Sequence, residues 1–171
     1  MSKKWKRSAA IILIAILALS LLTACEKNNT FRVLTYPDME GMTKDLNEDF
    51  GMATYNDDDG NITLQLFVEK DPTDAQLAEA NQGWGSNLEE LIIEEKHIIS
   101  GEVTGSHQVD LAGLNVKGLE LDVNFVFEGI AFYCTVIPLD TQLGVVIGYA
   151  TDEFKDDLRT RFDELIQGLA P

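Results

Sequence analysis

The segment Leu119–Phe127 has the sequence LELDVNFVF. Apolar side chains occupy every second position from Leu119 onward, and Glu120, Asp122 and Asn124 stand between them. Successive side chains of a β-strand point to opposite faces of the sheet, so this period of two predicts a strand with one packed and one wetter face. Such a strand needs neighbours in a sheet and helices to cover its apolar face.

Further extended segments lie on both sides of this strand. Turns at residues 128–129 and 140–142 separate it from two apolar runs that follow. A mixed run with Gly101 and Gly105 as candidate β-bulges precedes it. The predicted neighbouring strands are His97–Val109, Ile130–Pro138 and Leu143–Ala150.

A hairpin is predicted in the N-terminal half. Met52–Tyr55 and Ile62–Glu69 are extended runs, and the segment between them contains Asp59-Gly60. Asp-Gly is a strong hairpin signal because Gly readily adopts the positive φ that the turn needs.

Two segments precede this hairpin. Phe31–Tyr36 reads as an opening strand that stops at Pro37, whose missing N–H ends a hydrogen-bonded ladder. Met42–Phe50 is polar and is predicted to be a short helix or a loop.

A helix is predicted after the hairpin, with Asp71 as its N-cap and Pro72 at its first position. Gly83 and Gly85 lie within it, and each costs up to about 1 kcal/mol relative to Ala. The helix is therefore expected to kink or split there. Its apolar residues recur at helical spacing, at Leu77, Ala80, Trp84, Leu88, Leu91 and Ile92.

A second helix is predicted at the C-terminal end, with Thr151 as its N-cap and Gly168 as its stop signal. This helix is expected to cover one face of the sheet with a single apolar stripe. The stripe consists of Phe154, Leu158, Phe162, Leu165, Ile166 and Leu169.

This order of elements resembles the PsbP-like family over residues 31–169. The resemblance implies an α+β fold, with an antiparallel sheet flanked by helices as an α/β/α sandwich, in a single domain at residues 31–171. It also implies an accessory or binding role, because such proteins typically assist larger assemblies rather than catalyse. The matching features are Tyr36-Pro37, the Asp59-Gly60 hairpin, the helix end at residues 87–91, the three-strand meander, and Phe154, Phe162 and Ile166 of the closing helix.

The first 24 residues read as a targeting signal. A basic start and the apolar run Ala9–Leu19 lead into Leu22-Thr23-Ala24-Cys25, which resembles the bacterial lipobox. The resemblance implies that Cys25 carries a lipid and begins the mature chain. A transmembrane helix is the alternative. Counted from Ala9 to Leu22, with Ser20 as its one interruption, the apolar segment has 14 residues, whereas a membrane-spanning helix needs about 20. We predict a signal peptide at residues 1–24, a tether at 25–30, and anchoring at the extracytoplasmic face of the cell membrane.

The charge of the chain excludes one class of partner. The sequence has 13 basic and 29 acidic residues, and four of the basic ones lie in the signal, which leaves the mature chain a formal charge of −20. Such a surface repels phosphate backbones and anionic headgroups, so nucleic acid is excluded. Cationic partners, weakly held Ca²⁺ and basic cell-wall components stay open. The plainer interpretation is that acidity keeps a tethered protein soluble.

The cysteine and histidine side chains favour structural roles. Cys134 shares its strand face with apolar neighbours, which predicts a core residue rather than a nucleophile. On an unbroken strand, His97 and His107 would lie about 33 Å apart. That separation favours two semi-buried histidines over a shared metal site.

The acidic clusters favour solvated surfaces. Asp57–Gly60 superficially resembles a calcium loop, but Tyr55 and Leu66 occupy the positions that require Asp and Glu. A plain acidic turn is favoured there, and a weak ion site stays open. On the first helix a solvated polar face is predicted at Glu89, Glu90, Glu94 and Glu95.

No catalytic residue, cofactor site or metal site is predicted from the sequence, and two functions remain. The first is a lipid-anchored, non-catalytic binding or accessory module whose partner is a protein, a peptide or an envelope component. The second is an extracytoplasmic hydrolase or transferase with an unrecognised site. Ionisable side chains that converge in a pocket would favour the enzyme, whereas an apolar groove or a flat acidic face would favour the binding module.

Overall fold

The computed structural model describes residues 34–47 and 51–171. The predicted signal, the tether and Cys25 lie outside the described residues. The opening strand predicted at residues 31–36 lies partly outside them. Within its described part, Thr35 makes an isolated antiparallel bridge to Ala170 rather than part of a longer strand.

One antiparallel sheet of seven strands forms the centre of the protein. Its spatial order is β1-β2-β3-β7-β6-β5-β4. The predicted hairpin (β2–β3) and meander (β5–β6–β7) are confirmed, and β7 returns beside β3 to join the two halves. The strands are β1 Met42–Asn47, β2 Met52–Asp57, β3 Ile62–Glu69, β4 Gly101–Leu111, β5 Val116–Phe125, β6 Ile130–Leu139 and β7 Gln142–Thr151.

Helices cover both faces of this sheet. On one face α1 (Asp74–Gln82) is followed by α2 (Ser86–Glu89), which continues as a π-helical segment at Glu90–Glu95. On the other face lies α3 (Lys155–Gly168), after a 3₁₀ turn at Asp152–Phe154. None of the helices among the described residues has the length and apolarity needed to cross a membrane.

Strand β1 corrects the prediction of a helix or loop at residues 42–50. Met42–Asn47 pairs antiparallel with β2 along its whole length and forms one edge of the sheet. Polar side chains are compatible with an edge strand because one side of it faces water. The backbone of β2 supplies the ladder that favours the extended form, and this pairing is not visible in the local sequence.

The first helix begins later than predicted. Its N-cap is Thr73, not Asp71, and Pro72 precedes the helix. The Thr73 hydroxyl accepts a hydrogen bond from the Gln76 amide, and the Gln76 side chain accepts one from the Thr73 amide. This reciprocal capping box satisfies two free N–H groups, which favours Thr73 as the N-cap.

The predicted split at the two glycines is confirmed. The Glu79 carboxylate of α1 accepts hydrogen bonds from the Leu88 amide at 2.8 Å and from the Asn87 side chain at 2.6 Å. It thereby caps the start of α2. A Cβ at Gly85 would lie 2.5 Å from this carboxylate, so the Glu79 side chain would have to move to admit one.

Strand β4 is shorter at its start than predicted. It begins at Gly101, and His97 lies before it in a left-handed conformation with φ of +52°. The register against β5 shifts between Val103 and Gly105, which confirms the bulge near Gly105. Gly101 instead pairs regularly with Phe125.

Each face of the sheet packs its own core, so the α/β/α sandwich is confirmed. The Leu119 and Leu121 side chains face α1 and α2, as the period of two predicts. The opposite face is not uniformly wet. Glu120 is only 7% exposed, because α3 packs over that face, whereas Asp122 and Asn124 lie farther along β5 and are exposed.

Candidate functional site

The turn between β5 and β6 carries a group of apolar side chains at the surface. We call this group the aromatic tip and define it as Phe125, Val126, Phe127 and Phe132. The Phe125 ring stacks on Phe132 with centroids 4.8 Å apart and an interplanar angle of 4°. It meets the Phe127 ring edge-on at 5.2 Å and 64°. Three rings therefore form one contact group.

The aromatic tip is only partly covered by the rest of the protein. All three rings are half-buried, and Val126 is 63% exposed. Among the described large apolar side chains, only Leu46 on the edge strand is also exposed, at 43%. Apolar side chains grouped at the surface of a soluble domain often mark a binding surface. The tip is therefore the candidate site.

Backbone hydrogen bonds hold the tip on two sides. The Val126 amide donates to the Ser100 carbonyl at 3.1 Å, just before β4. The Asp152 amide donates to the Gly129 carbonyl at 3.0 Å, and Gly129 has a φ of +76° that glycine adopts without strain. The tip is thus built on a positioned turn between two neighbouring segments.

Exposed carboxylates lie on the segments that meet at the tip. We call Glu102, Glu128 and Asp152 the acidic rim, and each of them is exposed. The three segments that meet here, residues 100–104, 122–130 and 151–154, contain five acidic residues and no basic residue. The electrostatic potential here is therefore negative, and the share of acidic residues in these segments is higher than in the chain as a whole.

A second polar cluster lies where α3 crosses the sheet. The Arg159 guanidinium pairs with both carboxylate oxygens of Glu120, at 2.5 and 3.1 Å, and with Asp163 at 2.6 Å. It also lies 5.1 Å from the centroid of the Tyr133 ring. The hydrogen bond to Glu120 is the main cause that raises the pKa of Arg159. These contacts join α3 to β5 and β6, so the cluster is a structural one.

The cysteine prediction is confirmed and the histidine prediction is wrong. Cys134 is fully buried, and burial raises the pKa of its thiol far above its usual range, as expected for a core residue. His97 and His107 are both exposed rather than semi-buried. His97 lies in the segment before β4, and His107 lies on β4, which is an edge strand. Within the described residues no group of three or more His, Cys, Asp or Glu could hold a metal ion.

The structure agrees with the predictions for the two acidic clusters, the turn at residues 57–60 and the helical carboxylates at residues 89–95. Asp57 uses one carboxylate oxygen to accept hydrogen bonds from the Asn61 and Ile62 amides, at 2.7 and 2.8 Å. This arrangement closes the hairpin turn, which favours the structural interpretation of the acidic segment. The helical carboxylates Glu89, Glu90, Glu94 and Glu95 are all exposed, as predicted.

The sequence reasoning missed the aromatic tip. The alternation from Leu119 to Phe127 predicts that Phe125 and Phe127 are packed as firmly as Leu119. The signal that could have located the tip is position, because Phe125 and Phe127 stand next to the turn at Glu128-Gly129.

Comparisons with known proteins support the fold. No family profile and no curated protein matches the chain. Among solved structures, it is similar to CyanoP, the cyanobacterial PsbP of Synechocystis sp. PCC 6803, with 12% identity and a TM-score of 0.55 over 84% of this chain and 89% of that one. It is also similar to LpqN of Mycobacterium tuberculosis, which is described as involved in cell envelope biogenesis, with 14% identity and a TM-score of 0.50 over 80% and 82%. At these identities the likeness shows the fold alone, and the chain has the PsbP-like α+β fold.

Proposed function

We propose that this protein is a lipid-anchored, non-catalytic module of the cell envelope that binds a partner through the aromatic tip. The observation that carries the proposal is the exposure of Val126 beside three half-buried rings in contact. Aromatic side chains contribute large contact areas with little loss of conformational entropy, and they are enriched where proteins bind one another.

The sequence supports the envelope location. The lipobox-like Leu22-Thr23-Ala24-Cys25 supplies a lipid attachment site, and residues 25–30 would serve as the tether. Two acyl chains hold a protein at a membrane where one chain is only marginal. LpqN, a protein with the same fold, is described as involved in cell envelope biogenesis, which is consistent with this location.

An enzyme would need ionisable side chains that are free to act on a substrate. The most buried of the described ion clusters, around Arg159, has its guanidinium paired with Glu120 and Asp163. Its groups are engaged in joining α3 to the sheet, so this cluster supports structure rather than chemistry. A partner-binding module is therefore the function that the geometry supports best.

Cys25→Ala is expected to abolish membrane attachment. The variant should remain uncleaved or be released, because lipid on Cys25 is the proposed anchor. The measurement is membrane fractionation with mass analysis of the N-terminus. Cys134→Ala is the matched control, since it removes the buried cysteine and should leave attachment unchanged. A Cys25→Ala chain that is processed normally and stays in the membrane fraction would contradict the lipid anchor.

Photo-crosslinking should detect a partner at the tip. A photoreactive phenylalanine analogue at Val126 is expected to give a discrete adduct in intact cells, and the same analogue at Leu46 is expected to give none. Leu46 is the matched control because it is also an exposed apolar residue but lies on the edge strand β1, separated from β5 by four strands in the sheet order. Equal adducts at both positions, or none at Val126, would count against a binding role for the tip.

A further inference from the structure

We infer that the aromatic tip and the acidic rim together bind a basic segment of a partner protein that carries at least one apolar anchor residue. This inference rests on the proposed function and specifies the chemistry of the partner. It combines two features of the same end of the sheet: three contacting rings next to the exposed Val126 in the chain, and exposed carboxylates on the segments that meet there.

The apolar part of the site selects an apolar anchor. Val126 is 63% exposed, and its neighbouring rings are only half-buried, so a partner side chain can remove apolar area from water here. The faces of aromatic rings also carry negative partial charge and attract ammonium and guanidinium groups. The tip therefore suits a lysine or arginine that lies next to the apolar anchor.

The charged part of the site selects the sign of the partner. Glu102, Glu128 and Asp152 are exposed on the segments that meet at the tip, and those three segments carry no basic residue. An acidic or phosphorylated partner would be repelled from this surface, whereas a basic one would be steered toward it. Recognition would use side chains, because the Val126 amide already donates to the Ser100 carbonyl.

The same charges disfavour a membrane as the occupant of the tip. Insertion of Val126 and Phe127 into a bilayer would bring the rim carboxylates down to the headgroups. Membrane leaflets that contain anionic lipid repel such carboxylates. A protein segment can place its own cations opposite the rim, so it complements the surface that a bilayer would not.

Three synthetic peptides test this inference, each with an amidated C-terminus and a fluorophore. The first contains Lys and Phe separated by Gly, the second has Glu in place of Lys, and the third has Gly in place of Phe. Binding to the full chain in detergent is measured by fluorescence anisotropy. We expect the Lys–Phe peptide to bind at least about tenfold more tightly than either of the others, and its affinity to fall as salt is raised.

Variants locate the binding on the protein. Val126→Ser should lower the affinity for the Lys–Phe peptide by about tenfold, and Val126→Trp should raise this affinity. Leu46→Ser is the matched control and should have no effect. Neutralising the rim with Glu102→Gln, Glu128→Gln and Asp152→Asn should also weaken binding by about tenfold.

A second triple variant controls for overall charge. Asp71→Asn, Asp110→Asn and Asp140→Asn remove the same number of charges at exposed positions near the opposite end of the sheet. We expect less than a twofold change in affinity for this triple variant. An equal loss in both triple variants would overturn the inference, because it would assign the binding to the total charge of the protein.

The outcomes separate this inference from the proposed function. If Val126→Ser weakens binding while the Lys and Glu peptides bind equally, the tip binds a partner, and the inference that this partner is basic is wrong. If Val126→Ser has no effect on any peptide and crosslinking at Val126 also fails, both proposals fall. Phosphatidylcholine vesicles are tested with the Cys25→Ala chain. Vesicle binding that Val126→Ser abolishes would assign the tip to a membrane and overturn the inference.

Discussion

A chain that ends before Thr151 is expected to lose its cooperative fold. Helix α3 packs against β6 and β7 and covers one face of the central sheet. Its loss would expose the core that it shares with β3 and remove the Arg159–Glu120 pair. An exposed apolar face of several hundred Å² leads to aggregation or a molten state. The fully or almost fully buried residues that would be lost are Leu158, Phe162, Leu165, Ile166 and Leu169.

Thermal unfolding with a dye for exposed apolar surface measures this effect. The control is a chain that lacks only Ala170 and Pro171. Thr35 exchanges two backbone hydrogen bonds with Ala170, so this deletion should cost about 1–3 kcal/mol and leave a cooperative transition. A chain without residues 151–171 that melts cooperatively near the full-length temperature would show that α3 is not part of the folding unit.

Phe162→Ala should lower the free energy of unfolding by about 3–5 kcal/mol. Phe162 is fully buried, and its ring lies 5.7 Å from the Tyr133 ring. A Cβ placed on Gly148 would approach the Phe162 ring to 2.9 Å, which shows how closely α3 packs on β7. Removal of the ring would leave a cavity that the closely packed neighbouring side chains cannot fill.

Phe125→Ala is the matched comparison, because it removes the same side chain from the half-buried tip. The loss should be smaller, about 1–2 kcal/mol, since only part of that ring is removed from water in the native state. The alternation of residues 119–127 taken alone predicts a full core cost at Phe125. Asp122→Ala, on the other face of β5 and exposed, should stay within about 0.5 kcal/mol. Denaturant unfolding distinguishes the three variants, and equal losses for Phe125→Ala and Phe162→Ala would contradict the partial exposure of the tip.

Local sequence signals determined the elements whose cause is local. The alternation in Leu119–Phe127 predicted a strand and the orientation of its side chains, since the period of a strand is a property of the backbone. Asp59-Gly60 predicted the hairpin, because the required positive φ favours glycine. The stripe of the closing helix and the break at Gly83 and Gly85 followed from helical spacing and glycine propensity in the same way.

Sequence patterns also predicted the layer order, through the resemblance to the PsbP-like family, and the core role of Cys134. They did not predict the N-cap at Thr73 or the exposure of the two histidines. Capping depends on which of several suitable residues completes a pair of hydrogen bonds, and exposure depends on whether a helix passes over the strand. The exposure of the histidines is settled only in the assembled domain, whereas the Thr73–Gln76 capping box is a local pair that the Thr-x-x-Gln spacing could have indicated.

The individual strands, the hairpin and the helices follow from hydrophobic periods and turn residues, because these signals act over a few neighbouring positions. Three features could be seen only in the folded protein: Met42–Asn47 is an edge strand, Glu120 is buried under α3, and the rings around Phe125 remain partly exposed. Each of these depends on contacts between residues far apart in the chain. Long-range pairing and helix coverage set the environment of a side chain, and the same alternating pattern is buried at the centre of the sheet and partly exposed at its end.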